Sequence, residues 1–380
     1  MIKSCNITEL LKGVEVEWKN LDEVTNYEQP TKYLVTSTNY NDEYKTPVLT
    51  AGKTFILGYT NEIAGIYAGK NNPVIIFDDF TTANKWVNFD FKIKSSAMKI
   101  ISSADEEKYH LKYIYYWMNT LPNENIDNDH KRQWISNYAN KKIPVPPFSI
   151  QTEIVGILDT FTALTAELTA ELTTRKKQYN YYRDKLLTFK EDEVEWKSLG
   201  EILHRTKGTK ITASKMKEIH KNNAPLKIFA GGKTFALVNF DDIPEKDINR
   251  EPSVIVKSRG IIEFEYYDKP FSHKNEMWSY HSKDGNINIK YVYYFLKTKE
   301  LHFQNIGSKM QMPQIATPDT DKFIIPIPSL SIQNRIVEIL DKFDALTNSI
   351  TEGLPREIAL RQKQYEYYRN LLLDFPKVQE

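Results

Sequence analysis

The chain has 380 residues, with 51 Lys and Arg against 50 Asp and Glu, and it is 41% hydrophobic and 27% charged. That length allows two or three domains with full cores, and the composition excludes a disordered or fibrous polymer. No apolar run reaches the length of a membrane span and Met1 to Asn6 leads into no signal-peptide core, so the expectation is a soluble, cytoplasmic protein with no membrane contact; one cysteine, Cys5, excludes an internal disulfide.

In chain order, residues 14 to 142 read as strands and loops, with β-branched and aromatic runs such as Tyr33-Leu34-Val35-Thr36 and Pro73-Val74-Ile75-Ile76-Phe77 punctuated by Gly, Asn and Pro. Ile143-Pro144-Val145-Pro146-Pro147 then opens a helical pattern. Ile150, Ile154, Ile157, Phe161, Leu164 and Leu168 alternate steps of four and three, the spacing of a coiled-coil seam that resumes at Tyr179, Tyr182 and Leu186. An unbroken helix from Gln151 to Thr188 would span roughly 55 to 60 Å. Residues 192 to 324 return to strands and loops, and Ile325-Pro326-Ile327-Pro328 opens a second seam at Ile332, Ile336, Ile339, Phe343, Leu346 and Ile350, resuming at Tyr365, Tyr368 and Leu372. Ser149 and Ser331 stand where N-caps are wanted, and Gly353-Leu354-Pro355 predicts a kink or short loop.

The chain repeats itself. The helix openings recur at an offset of 182 residues, and Lys177-Gln178-Tyr179 recurs as Lys363-Gln364-Tyr365 at 186, so the second copy has gained four residues, about one helical turn. The strand regions echo too: Val16-Glu17-Trp18-Lys19 matches Val194-Glu195-Trp196-Lys197, and Gly52-Lys53-Thr54-Phe55 matches Gly232-Lys233-Thr234-Phe235. Their remaining loops differ, which predicts a common scaffold carrying different ligands. The expected fold class is α+β: two mixed α/β domains separated by two long antiparallel coiled-coil helices, with a pseudo-twofold internal repeat, as a dumbbell. The expected parts are residues 1–148, a helix over 149–190, residues 191–330, and a helix over 331–380 broken near Gly353 to Pro355.

Catalytic motifs are absent. Gly232-Lys233-Thr234 lacks the glycine five positions earlier that a phosphate-binding loop needs. Val145-Pro146-Pro147-Phe148 has valine where an amino methyltransferase needs an acceptor for the target amino group. Asp78-Asp79 and Asp241-Asp242 read as turn residues, and the seven histidines have no zinc-site spacing. Between Arg205 and Lys227, seven cations face the single acid Glu218, a basic stripe suited to phosphate.

With the paired Ile-Pro openings, the Arg175 to Arg183 and Glu352 to Arg369 segments, and the doubled tetrapeptide Thr165-Ala166-Glu167-Leu168-Thr169-Ala170-Glu171-Leu172, the chain resembles over its full length the specificity subunit of type I restriction-modification enzymes, in its IC-like subclass. The resemblance implies a non-catalytic subunit that binds double-stranded DNA through two target recognition domains, each reading one half of a bipartite asymmetric site. It also implies two modification (methyltransferase) subunits and restriction (motor-nuclease) subunits as partners. S-adenosylmethionine, ATP and magnesium would sit on those partners, with no cofactor and no metal on this chain. Candidate DNA-binding residues are Lys53, Lys70, Asn71, Asn72, Lys85, Lys131, Arg132 and Gln133 in the first domain, and Arg205, Lys207, Lys210, Lys233, His273, Lys274, Asn275, Lys309 and Gln311 in the second, because cations suit phosphates and amides suit adenine edges. The doubled tetrapeptide sets the spacer, and Tyr179, Tyr182, Tyr365 and Tyr368 are seam residues or handles for partner subunits. Trp86 and Trp278 either position a reading loop or fill the core. The rival reading is a coiled-coil scaffold joining two protein-binding modules, which salt-dependent DNA binding would decide against.

Overall fold

A computed structural model describes residues 7–51, 54–122, 132–308 and 312–376. Cys5 and the candidates Lys53, Lys131, Lys309 and Gln311 lie outside the described residues. The chain divides into two compact units: Met1–Leu168 with Ile358–Glu380, and Thr169–Glu357.

In the first unit the strands are β1 (Glu17–Asn20), β2 (Thr25–Glu28), β3 (Thr46–Leu49), β4 (Ile56–Thr60), β5 (Val74–Asp78), β6 (Asn84–Val87), β7 (Lys92–Ile93), β8 (Met98–Ser103) and β9 (Lys142–Val145). They form an antiparallel sheet ordered β2-β8-β5-β6, a smaller sheet β4-β3-β7 and the pair β1-β9. Strand β5 is buried throughout and separates two cores. Val74 and Ile76 face Leu49 and Val87, whereas Ile75 and Phe77 face Tyr113 and Trp134, as period-two alternation requires.

The second unit holds β10 (Glu195–Ser198), β11 (Leu203–Lys207), β12 (Leu226–Phe229), β13 (Phe235–Val238), β14 (Ser253–Lys257), β15 (Glu263–Tyr267), β16 (Phe271–His273), β17 (Trp278–Ser282) and β18 (Ile324–Ile327). The orders are β11-β17-β14-β15, β13-β12-β16 and β10-β18. Here β14 is the two-faced strand, with Val254 and Val256 toward one core and Ile255 toward Phe229 and Phe271.

A domain helix packs beside each larger sheet: Leu111–Met118, capped by His110 Nδ1, and Ile289–Thr298, capped by the Asn288 side chain. Tyr113 donates its hydroxyl to the Pro144 carbonyl at 2.7 Å, and Tyr291 donates to Pro326 at 2.9 Å. Each bond joins a domain helix to the proline-rich strand that feeds a long helix.

The first long helix is unbroken over 39 residues, Phe148–Leu186, about 58 Å at 1.5 Å per residue. The second is two segments, Leu330–Thr347 and Gly353–Leu373. Gly353 adopts φ 72°, and a Cβ there would stand 2.3 Å from the Ala345 carbonyl, so the turn requires glycine. Pro355 then falls in the first turn of the new segment, where a missing N–H costs nothing. The expected serine caps are corrected: the helices begin at Phe148 and Leu330, so Ser149 and Ser331 are already helical, and the Pro147 carbonyl accepts the first bonds. Leu10, Leu11 and Val14 pack on the core that holds Leu372, Leu373 and Phe375, which brings residues 10–14 and 372–375 together in the first unit.

Candidate nucleic-acid interface

The basic stripe of the second unit sorts into paired and unpaired cations. Arg205 lies 3.5 Å from Asp321, Lys215 pairs with Glu218 at 2.6 Å and Lys221 with Asp242 at 2.7 Å. Lys227 sits 3.6 Å from Glu265 and within cation-π range of Phe229, Phe235 and Tyr267. Lys207, Lys210, Lys217 and Lys233 are exposed and carry no side-chain partner among the described residues. Phosphate binding needs such cations, since a paired lysine must first give up its carboxylate.

Backbone geometry gathers them. Gly208 passes so close to the end of β16 that a Cβ would lie 2.2 Å from the His273 carbonyl, and Thr209 N–H donates to that carbonyl at 2.8 Å. Lys274 N–H in turn donates to the Phe229 carbonyl at 2.9 Å, which draws the β12-β13 hairpin to the same place. A cavity of about 560 Å³ opens between this hairpin and the helix Ala213–Ile219, lined by Met216, Lys217, His220, Phe235 and Lys274 among others. Phe235 is 48% exposed at its wall. Lys274 is half-buried and pairs with Glu276 at 2.5 Å, while Asn275 beside it is exposed.

His273 is a correction. It is fully buried, with Nδ1 3.1 Å from the Lys274 carbonyl and Nε2 3.3 Å from Ser279 Oγ, and burial pushes its pKa down to about 4. It holds the sheet edge and cannot reach DNA.

In the first unit Lys70, Asn71 and Asn72 are exposed on one turn, whose backbone is fixed by Lys70 N–H to Asp90 Oδ1 at 3.1 Å and by Asn72 N–H to the Ala68 carbonyl at 3.0 Å. Lys85 is exposed on β6 opposite Ile76. Arg132 belongs to a second cluster, around the turn that joins β5 to β6. Its guanidinium lies 3.6 Å from Asp79 and 6.0 Å from the centre of the exposed Phe80 ring. Asp79 is itself buried against Lys99 at 3.4 Å, and desolvation lowers the Lys99 pKa. Gln133 is the second correction: it is only 8% exposed, and its backbone N–H donates to the Asp79 carbonyl at 2.9 Å, so it belongs to the support beneath Arg132. Asp78 accepts from Phe80 N–H and Thr81 Oγ1, the behaviour of a turn residue. The exposed aromatics Phe80 and Phe235, and the unpaired Lys217, were not among the expected contacts; a Phe directly after Gly232-Lys233-Thr234 was the available signal.

Trp86 packs on Tyr115, and Trp278 is buried with its indole N–H on Thr320, so both are packing residues. On the long helices, Tyr182 stacks on Phe343 at 5.7 Å with Tyr179 at 6.3 Å, and Tyr368 stacks on Phe161 at 5.2 Å with Tyr365 beside Tyr116 at 6.4 Å. In the doubled tetrapeptide, Thr165, Leu168, Glu171 and Leu172 are half-buried while Ala166, Glu167, Thr169 and Ala170 are exposed. Among the described residues no cluster of His, Cys, Asp and Glu could hold a metal, and no helix is long and apolar enough to cross a membrane.

Residues 13–175 and 191–360 match the family model of the type I restriction modification DNA specificity domain. A type I restriction enzyme specificity subunit from Escherichia coli is 52% identical over 394 aligned positions, covering 98% of this chain and 97% of that one. Another from the same species is 34% identical over 261 positions, 64% of this chain and 63% of the relative. The crystal structure of the S subunit of a type I restriction-modification system from M. genitalium shares the fold, with a TM-score of 0.70 at 15% identity over 96% of this chain and 98% of that one. Two matched domains that together cover most of the sequence, each built on the same strand order around its own cations, show that the chain belongs to the type I restriction-modification specificity subunits, the DNA-binding, non-catalytic members of their complexes.

Proposed function

We propose that each target recognition domain reads one half of a bipartite asymmetric DNA site and that the long helices set the unread gap between the halves. The unbroken Phe148–Leu186 helix with the doubled tetrapeptide inside it carries this reading. Four helical residues add about 6 Å, and DNA rises about 3.4 Å per base pair, so one tetrapeptide is worth one to two base pairs. The recognition domains are residues 1–148 and 191–330, and the spacers are 149–190 and 331–380 with its break near Gly353. The stacks of Tyr368 on Phe161 and of Tyr182 on Phe343 support antiparallel seams in a pseudo-twofold, coiled-coil arrangement.

DNA contacts in this reading come from Lys70, Asn71, Asn72, Lys85 and Arg132 in one domain, and from Arg205, Lys207, Lys210, Lys217, Lys233, Lys274 and Asn275 in the other. The cations without a carboxylate partner among the described residues, Lys70, Lys85, Lys207, Lys210, Lys217 and Lys233, grip phosphate first, Arg132, Arg205 and Lys274 join once they release their carboxylates, and the neighbouring amides and exposed rings meet base edges. Two modification subunits dock along the helices and bring S-adenosylmethionine; restriction subunits bring ATP and magnesium.

The test is insertion of a third Thr-Ala-Glu-Leu unit after Leu172, followed by methylation mapping in cells that express the matching modification subunit. A gap longer by one to two base pairs with both half-sites unchanged is expected. Altered half-sites with an unchanged gap would sink the proposal.

A further inference from the structure

A ruler works only if its marks do not slide, and each domain helix is tied to its long helix at two points. At the first, the side chain of Gln151, 1% exposed, accepts from His110 N–H at 2.8 Å and donates to the carbonyls of Lys108 at 2.9 Å and Pro146 at 2.8 Å. Eight residues on, Asp159 accepts from the Tyr116 hydroxyl at 2.5 Å and the Lys112 ammonium at 2.8 Å. The second unit repeats the device. Gln333 accepts from Asn288 N–H at 2.8 Å and donates to Pro328 at 2.8 Å and Asn286 at 3.4 Å. Asp341 accepts from Tyr294 at 2.5 Å and from Lys290 at 2.8 Å.

Two anchors about 12 Å apart along a helix fix both tilt and height, whereas one anchor leaves a pivot. The apolar contacts between them, at Ile154, Val155 and Leu158, resist separation but have no direction. Charge-assisted bonds supply the direction. The carboxylates are still 38% and 37% exposed, so an exposed pair of this kind adds little to stability, and a geometric role is left. Tyr116 and Tyr294 are buried rings, and burial followed by the neighbouring carboxylate keeps both phenols protonated as donors.

We propose that Gln151 with Asp159, and Gln333 with Asp341, are positioning residues for site recognition: they lock each recognition domain at one angle and one height on its helix, so that a single gap length in DNA is accepted. This rests on the reading of the helices as a ruler. The variants are Tyr116→Phe with Tyr294→Phe, which keep both rings and delete only the hydroxyls, and Asp159→Ala with Asp341→Ala, each in the full chain expressed with the modification subunit. Methylation mapping should find the wild-type half-sites, with discrimination against gaps one base pair longer or shorter reduced about tenfold, the scale of a lost hydrogen bond to a charged group. A gap preference as sharp as wild type in the Tyr→Phe pair overturns the proposal, as does a uniform loss of methylation at all sites by that pair. The tetrapeptide insertion keeps the two ideas apart: a lengthened gap there, with sharp preference in the Tyr→Phe pair, removes the clamp and leaves the ruler.

Discussion

Lys210 and Lys217 illustrate what burial and pairing add to a count of charges. Both lie in the basic stripe, but so do Lys215 and Lys221, whose ammonium groups are engaged by Glu218 and Asp242. Replacing Lys210 or Lys217 with Ala is expected to weaken DNA binding by the assembled complex equally on cognate and unrelated duplexes, and to reduce the salt slope by about one for each lysine lost. Fluorescence anisotropy over a salt series reads both; an unchanged slope removes that lysine from the interface. At His273 the prediction concerns pH. Its pKa is held near 4, below the ordinary 6.5, so above pH 6.5 the imidazole is neutral in folded and unfolded chains alike. As pH falls from 6.5 to 4 the unfolded chain takes up the proton and the folded one does not, so the second unit loses stability across that window. Urea unfolding against pH should show this slope, and His273→Gln should flatten it. Residue roles were the least legible part of the sequence. Lys215 and Lys217 look alike as letters beside Glu218, and only the helix geometry gives that carboxylate to the first.

Elements were easier to read, because periodicity is a physical property of the string. The steps of four and three at Ile150, Ile154 and Ile157 marked a helix, and the alternating faces of Val74 to Phe77 a strand between two cores. The first helix start is hidden because Pro146 and Pro147 cannot extend a helix, yet the Pro147 carbonyl can start one, and in the second helix the cap is Ser329, two residues before Ser331. At the break in the second long helix, Gly353→Ala would place a left-handed residue against the Ala345 and Leu346 carbonyls. A loss of about 1–3 kcal/mol in unfolding free energy is expected, measured by denaturant titration, as for other strained backbone positions. A change within about 0.5 kcal/mol would mean the turn relaxes at little cost.

On the scale of the molecule, the two units carry sheets whose strand orders correspond. The orders β2-β8-β5-β6 and β11-β17-β14-β15 place a two-faced buried strand third in each sheet, and the domain helices follow with their tyrosines on matching carbonyls. What the sequence could not convey is which loops of each scaffold are bound by their own carboxylates and which are left open, since that depends on partners far apart in the chain, such as Arg205 with Asp321 or Arg132 with Asp79. The unbroken Phe148–Leu186 helix has one more consequence, and it is angular. At 3.6 residues per turn, four inserted residues rotate everything after them by about 40°. B-DNA turns about 35° per base pair in the same hand. If the helices act as the proposed ruler, a tetrapeptide advances a domain about 6 Å, one to two base pairs, and turns it about 40°, against about 35 to 70° for the groove over that advance, whereas three residues would turn it about 60° backward and five about 140° forward. On that reading helical phase, and not length alone, makes four the natural unit of change.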